Sequence, residues 1–216
     1  MTPSVVVPKT HATTHPAGPA RMDGLSHHSL ALKHALRRFR ALGGSRVLDL
    51  GPAIGRNVQF LSAFISKLFI ADLYATLRSQ TGRSALDRAK LDRILQRDLP
   101  PTQQSPIDLI LVWDLLNYLD REQVAILGRH LARLCRRDSL VLALLSTQQT
   151  IPELPGQYLM LDPETLRCEN DSQRERRSPG YKEPDLEKMM PAFEVETSYL
   201  LRNGIQEYVL TTRSVA

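Results

Sequence analysis

The chain predicts an α/β fold, a mostly parallel sheet sandwiched between helices and finished by an antiparallel pair. Three observations carry that expectation. Over residues 46–73 a short apolar run ends in Asp49, a glycine-bounded turn and an amphipathic segment follow, and a second apolar run ends in Asp72. Over 107–113 the sequence is almost continuously apolar, as expected of a central parallel strand covered on both faces. Near the end, two strand-like runs are joined through Arg202, Asn203 and Gly204, and an Asn-Gly pair in that setting is the strongest short-range hairpin signal.

Length and composition agree with one cored domain. The chain has 216 residues, and a domain usually holds about 100–200. Its apolar share of 42% and charged share of 24% are ordinary for a globular protein. No run approaches the roughly 18 apolar residues that a membrane span needs. Pro3, Pro8, His11, His15 and Pro16 interrupt any leader-like core at the N-terminus, so a cytoplasmic location is expected. Cys135 and Cys168 make no disulfide framework and read as free thiols. A net charge of +5 fits an anionic partner, and it fits a solvated basic surface as well.

Taken in order, residues 1–28 are rich in Pro, Thr, His, Ala and Gly without a period and read as a flexible arm ahead of a single domain over 29–216. His11, His15, His27 and His28 have no ordered element or supporting acid there, so no metal site is expected. A leading helix over 29–43 starts from Ser29 as N-cap, places Leu32, Leu36, Phe39 and Leu42 on one face, and stops at Gly43 and Gly44. After the 46–73 unit, 74–82 is helical or loop, and 84–95 repeats the helical period through Leu86, Ala89, Leu91 and Leu95. A short third strand is expected over 94–97, ending at Asp98 before Pro100 and Pro101. The 107–113 strand gives way to Asp114, and Asp120 caps a helix over 121–135 with Val124, Leu127, Leu131 and Leu134 inward. A further buried strand occupies 140–145. Residues 147–182, punctuated by Pro152, Pro155, Pro163 and Pro179, read as an irregular insertion or substrate loop. Arg174, Arg176 and Arg177 lie in it, interrupted by Glu175 and without interleaved aromatics, so nucleic-acid binding is not supported. A short helix over 184–190 then leads into the terminal hairpin.

This order has a chemical consequence. Parallel strands joined by helices bring their carboxyl ends to one edge, and ligands of open α/β sheets bind just beyond it. Gly51 and Gly55 let the backbone bend and approach a ligand closely, and the helix starting near Arg56 aims free N–H groups at it. Asp72 follows Asp49 by nearly the roughly 20-residue offset at which an acid meets ribose hydroxyls. These features point to a nucleoside-containing cofactor. Trp113 is a candidate for stacking on adenine or for plain core packing.

Together, the alternating units, the Asp49-Leu-Gly51-Pro-Ala53-Ile-Gly55 stretch, the acid ending the second strand and the closing hairpin resemble the class I S-adenosylmethionine-dependent methyltransferases over about residues 46–212. The resemblance implies a three-layer, doubly wound, Rossmann-like fold with a seven-stranded sheet whose last strand lies antiparallel beside the fifth. It implies S-adenosylmethionine as cofactor, with Asp49, Gly51, Ala53 and Gly55 at the methionine end, Asp72 on the ribose, Asp98 on the adenine amino group and Asp114 beside the methyl donor. Ala53 stands where the family often has a second glycine. The dinucleotide fingerprint matches less well, with Ala53 and Arg56 at its second and third glycines. Methyl transfer from a sulfonium mainly requires that an attacking atom be held close and aligned. Asp114, Asn117 and Tyr118, just past the fourth strand, are the candidate catalytic groups, with capping a turn for Asp114, holding its own loop for Asn117 and half-buried core packing for Tyr118 as the alternatives. Residues 117–119 lack the paired prolines of enzymes methylating bases or glutamine, so a small-molecule acceptor is expected. The alternative function is a non-catalytic relative that binds S-adenosylmethionine or a protein partner as a regulatory module.

Overall fold

The computed structural model describes residues 4–6, 26–80, 87–101 and 106–213. Its elements in chain order are β1 (Ser4–Val6), β2 (Ser26–His28), α1 (Leu30–Ala41), β3 (Arg46–Asp49), α2 (Gly55–Ser62), β4 (Lys67–Ile70), α3 (Leu73–Gln80), α4 (Arg88–Asp98), β5 (Ile107–Trp113), a 3-10 turn (Leu115–Tyr118), α5 (Arg121–Leu134), β6 (Cys135–Ser146), β7 (Thr150–Pro152), β8 (Gln157–Asp162), β9 (Thr165–Glu169), β10 (Glu175–Arg177), α6 (Glu183–Met189), β11 (Phe193–Leu200) and β12 (Ile205–Thr212).

A mixed sheet in the order β1-β4-β3-β5-β6-β12-β11 forms the centre. Strands β1, β4, β3, β5 and β6 pair in parallel, and β12 runs antiparallel to both β6 and β11. The Asn203-Gly204 turn forms as its residues demand, with Gly204 at φ +80°, a conformation that side-chain-bearing residues adopt at a cost. Helix α1 packs on β12, β6 and β11, and its Phe39 meets Phe64, just past α2, edge to face. Helices α4, α5 and α6 pack side by side on the other face. The sheet is therefore the middle of three layers.

Local signals account for most helix ends. The Ser29 hydroxyl accepts the Leu32 N–H at 3.1 Å, and Asp120 with Gln123 forms a capping box on α5. Leu32, Leu36 and Phe39 are buried as the period of α1 requires, whereas Leu42 lies beyond the helix and is 36% exposed.

One expectation needs correction. The strand expected over 94–97 does not form, because α4 runs without a break to Asp98, and Leu91, Ile94 and Leu95 bury one helical face. The place beside β4 is taken by Ser4–Val6. Of residues 1–28, the two described pieces, Ser4–Val6 and Ser26–His28, are strands. The second of these is tied down by Glu207 of β12, fully buried, whose carboxylate meets the His27 Nε2 at 3.1 Å and accepts the Ala31 N–H at 3.1 Å. His11, His15 and the helix start expected at 84–86 lie outside the described residues.

The 147–182 segment contains β7 to β10. Strands β2, β9 and β8 make a three-stranded antiparallel sheet, and β7 pairs with β10, so neither group joins the central sheet. Among the described residues no helix is long and apolar enough to cross a membrane.

Candidate functional site at the carboxyl edge

Strands β3, β4 and β5 end side by side, and their next residues converge. Asp49 closes β3, is 2% exposed, and accepts the Gly51 N–H at 2.9 Å and the Trp113 Nε1–H at 2.7 Å. Burial raises its pKa to about 6; the two hydrogen bonds pull the other way, and the charge of Asp72 adds a smaller upward push. Asp72 follows β4 and accepts the Ala75 N–H at 2.9 Å, which caps the first turn of α3. Between these acids the loop turns outward, with Ala53, Gly55 and Arg56 exposed. A Cβ added to Gly55 would meet nothing within 4 Å.

Gly51 differs. A Cβ there would lie 2.9 Å from Trp113 Cδ1 and 3.1 Å from its Nε1, closer than atoms pack, so glycine is required by the indole that lies against it. Trp113 itself has φ 54°, a strained setting for a bulky residue, held by its bond to Asp49 and by a parallel stack on Tyr158 of β8 with centroids 5.7 Å apart.

Asp114 is the next node. It is 8% exposed; one carboxylate oxygen accepts the Tyr74 hydroxyl and the other accepts the Gly156 N–H at 3.0 Å. Burial, followed by the charge of Asp114, pushes the phenols of Tyr74, Tyr118 and Tyr158 upward and the Cys168 thiol to about 12, so these groups are neutral donors at pH 7. Asn117 uses its amide to donate to the Asp114 and Leu144 carbonyls, both at 3.0 Å, and to accept the Ser146 N–H at 3.0 Å. The Tyr118 hydroxyl donates to the Leu154 carbonyl at 3.0 Å. Asn117 thus ties the turn after β5 to the end of β6, and Tyr118 ties it to the segment after β7.

Asp98 is not part of this cluster. It ends α4 against Arg97, with Arg97 Nε 2.6 Å away, near the end of the sheet where β5 and β6 begin. A pocket of about 320 Å³ lined in part by Leu95, Leu99, His130 and Arg133 opens on that side, away from the strand tips.

Several residues of the site had not been singled out. Tyr74, Arg56, Asn57, Gly156 and Tyr158 surround the strand tips, and Tyr158 and Met160 come from the segment with least pattern. One signal was present, because Tyr158, Met160 and Leu166 alternate across a Pro163-Glu164 turn in the manner of a hairpin.

No protein-family model matches the chain, and no curated protein matches its sequence. Solved structures do match. An S-adenosylmethionine-dependent methyltransferase from Clostridium acetobutylicum superposes with a TM-score of 0.50 at 12% identity, over 85% of this chain and 92% of that one. This chain has the methyltransferase fold. The N-methyltransferase NodS from Bradyrhizobium japonicum matches with a TM-score of 0.47 at 14% identity, over 85% of this chain and 94% of that one. The 1,6-didemethyltoxoflavin-N1-methyltransferase of Burkholderia thailandensis, solved with S-adenosylhomocysteine, matches with a TM-score of 0.46 at 15% identity, over 86% of this chain and 80% of that one. On one side of this edge stand Asp72 and the exposed Ala53 and Gly55. The side over Gly51 is filled by the indole of Trp113.

Proposed function

We propose that this chain is an S-adenosylmethionine-dependent methyltransferase acting on a small molecule. The observation that carries this reading is the placement of Asp49 and Asp72 at the tips of adjacent parallel strands, with the exposed Ala53 and the exposed start of α2 at Gly55 and Arg56 between them. Asp72 would hold the ribose, and the Gly51, Ala53 and Gly55 backbone would follow the methionine portion, with Asp49 setting the loop through the Gly51 N–H. The cofactor, when bound, supplies an electrophilic methyl group. The chain's part is then to align an acceptor and keep water away from it. Asp114 is the acid nearest that region, while Asn117 and Tyr118 position the walls. Roofing by the 147–182 segment favours a small acceptor over a macromolecule.

A calorimetric titration with S-adenosylmethionine tests this. Binding is expected, and Asp72→Ala is expected to weaken it at least tenfold, since two ribose hydroxyls lose a charged acceptor. No heat at millimolar ligand, from wild type or from Tyr158→Ala, would overturn the reading; an unchanged affinity in Asp72→Ala would remove Asp72 from the site. A second reading, a non-catalytic binding module of the same fold, is favoured by one observation: both carboxylate oxygens of Asp114 and both amide atoms of Asn117 are engaged by the chain itself. Methyl transfer to pooled small metabolites separates the two, because the module binds cofactor and yields no methylated product.

A further inference from the structure

The space over Gly51 is filled by the Trp113 indole, which is backed by a hairpin that lies outside the central sheet. Among the described residues, the β8–β9 hairpin pairs only with β2 and shares no ladder with the central sheet. Its turn is anchored on the α1 side, where the Ser29 N–H donates to the Glu164 carbonyl at 2.7 Å. The outer strand, β8, is fastened to the carboxyl edge by side chains. Asn57 of α2 donates to the Tyr158 carbonyl at 2.7 Å and accepts the Met160 N–H at 2.8 Å, as a neighbouring strand would. Arg56 donates from Nε to the Met160 carbonyl and from Nη2 to the Leu161 carbonyl, each at 3.1 Å. These bonds hold Tyr158 flat against Trp113, whose indole is also kept over Gly51 by its own bond to Asp49.

We propose that the Trp113–Tyr158 stack is a removable plug: β8 swings away from α2, pivoting on the β9–β2 side and on Gly156, and a nucleoside cofactor reaches Gly51 only when the plug has lifted. The proposal rests on the cofactor reading above. The motion breaks the Asn57 and Arg56 bonds, the Trp113–Asp49 bond and one ring stack, and it exposes the buried Tyr158 and Met160, while every ladder of the central sheet stays intact. The plug thus gates the site by population. An apparent dissociation constant equals the intrinsic one divided by the open fraction, so any change that loosens β8 tightens binding.

The test measures S-adenosylhomocysteine affinity by calorimetry and, in parallel, the emission of the chain's single tryptophan, which is Trp113 itself. Three proteins are compared: wild type, Tyr158→Ala and Arg56→Ala. Arg56 is exposed, so its truncation removes two fastenings without opening the core, and it decides the matter if Tyr158→Ala does not fold. The expected result is at least tenfold tighter binding by Tyr158→Ala, at least threefold tighter binding by Arg56→Ala, and a change in wild-type Trp113 emission as ligand is added. Binding by wild type as tight as, or tighter than, that of the variants, with unchanged emission, overturns the plug and leaves the cofactor reading standing. No binding by any of the three at millimolar ligand overturns the cofactor reading and the plug together.

Discussion

Asp108→Ala is expected to lower folding stability by about 3 kcal/mol, among the larger effects available to a single polar substitution in this chain. Asp108 lies in β5 at 8% exposure and accepts from the Ser45 N–H at 2.8 Å, the Arg46 N–H at 3.0 Å and Arg136 Nε at 2.7 Å. It ties the start of β3 to β5 and to the start of β6. Truncation strands two backbone donors, which costs more than the bonds themselves were worth. Arg136 is half exposed and regains water, so the ion pair contributes only a minor part. For a chain of this size the loss corresponds to roughly 6–12 °C in Tm. Urea unfolding with an unchanged slope measures it. A loss below about 1 kcal/mol would show that the β3 amides find other acceptors.

The second large effect is a pH dependence centred on Asp49. Its pKa in the folded chain is raised to about 6 from an ordinary 3.8, so the folded state binds the proton more tightly than the unfolded chain does. The stabilisation from that proton is fully present below pH 3.8 and is lost as pH rises through about 6, a change on the order of 3 kcal/mol. Asp49→Asn keeps an acceptor oxygen for the Trp113 and Gly51 donors and does not ionise. Relative to wild type, the variant is therefore expected to gain stability between pH 4 and pH 7, read as a rising difference in Tm. The same ionisation acts directly on the indole N–H, so wild-type tryptophan emission should titrate with a midpoint near pH 6 and that step should vanish in Asp49→Asn. A flat Tm difference over this range would mean that Asp49 ionises normally in the folded chain.

Much of the central architecture was legible because local rules and the fold agreed. An apolar run closed by an acid must be a strand tip when a glycine turn and an amphipathic helix follow, as at Asp49 and Gly51. The capping acid Asp120 and the Asn203-Gly204 turn acted through bonds within a few residues and needed no partner from afar. Where two local rules competed, the sequence reading failed. Residues 94–97 are apolar enough for a strand, but Leu91, Ile94 and Leu95 bury better as one helical face, and Asp98 went with them to the wrong edge for adenine.

The docking of the 157–169 hairpin over the site was illegible for a different reason. Strand β8 takes its position from Asn57 and Arg56, about a hundred residues earlier, and β9 from Ser26–His28, more than a hundred earlier. No window of sequence contains both partners.

By itself, then, the sequence determined the alternation of strands and helices, the acid and glycine positions at the strand tips and the terminal hairpin, because each depends on periodicity, capping or turn geometry inside a short segment. The tertiary structure alone decided what fills the space beyond those tips. Glycine at position 51 reads in the sequence as room for a ligand; in the folded chain that room holds the Trp113 indole, stacked on Tyr158. A missing Cβ creates space without specifying its occupant, and the occupant was brought there by packing between segments far apart in the chain.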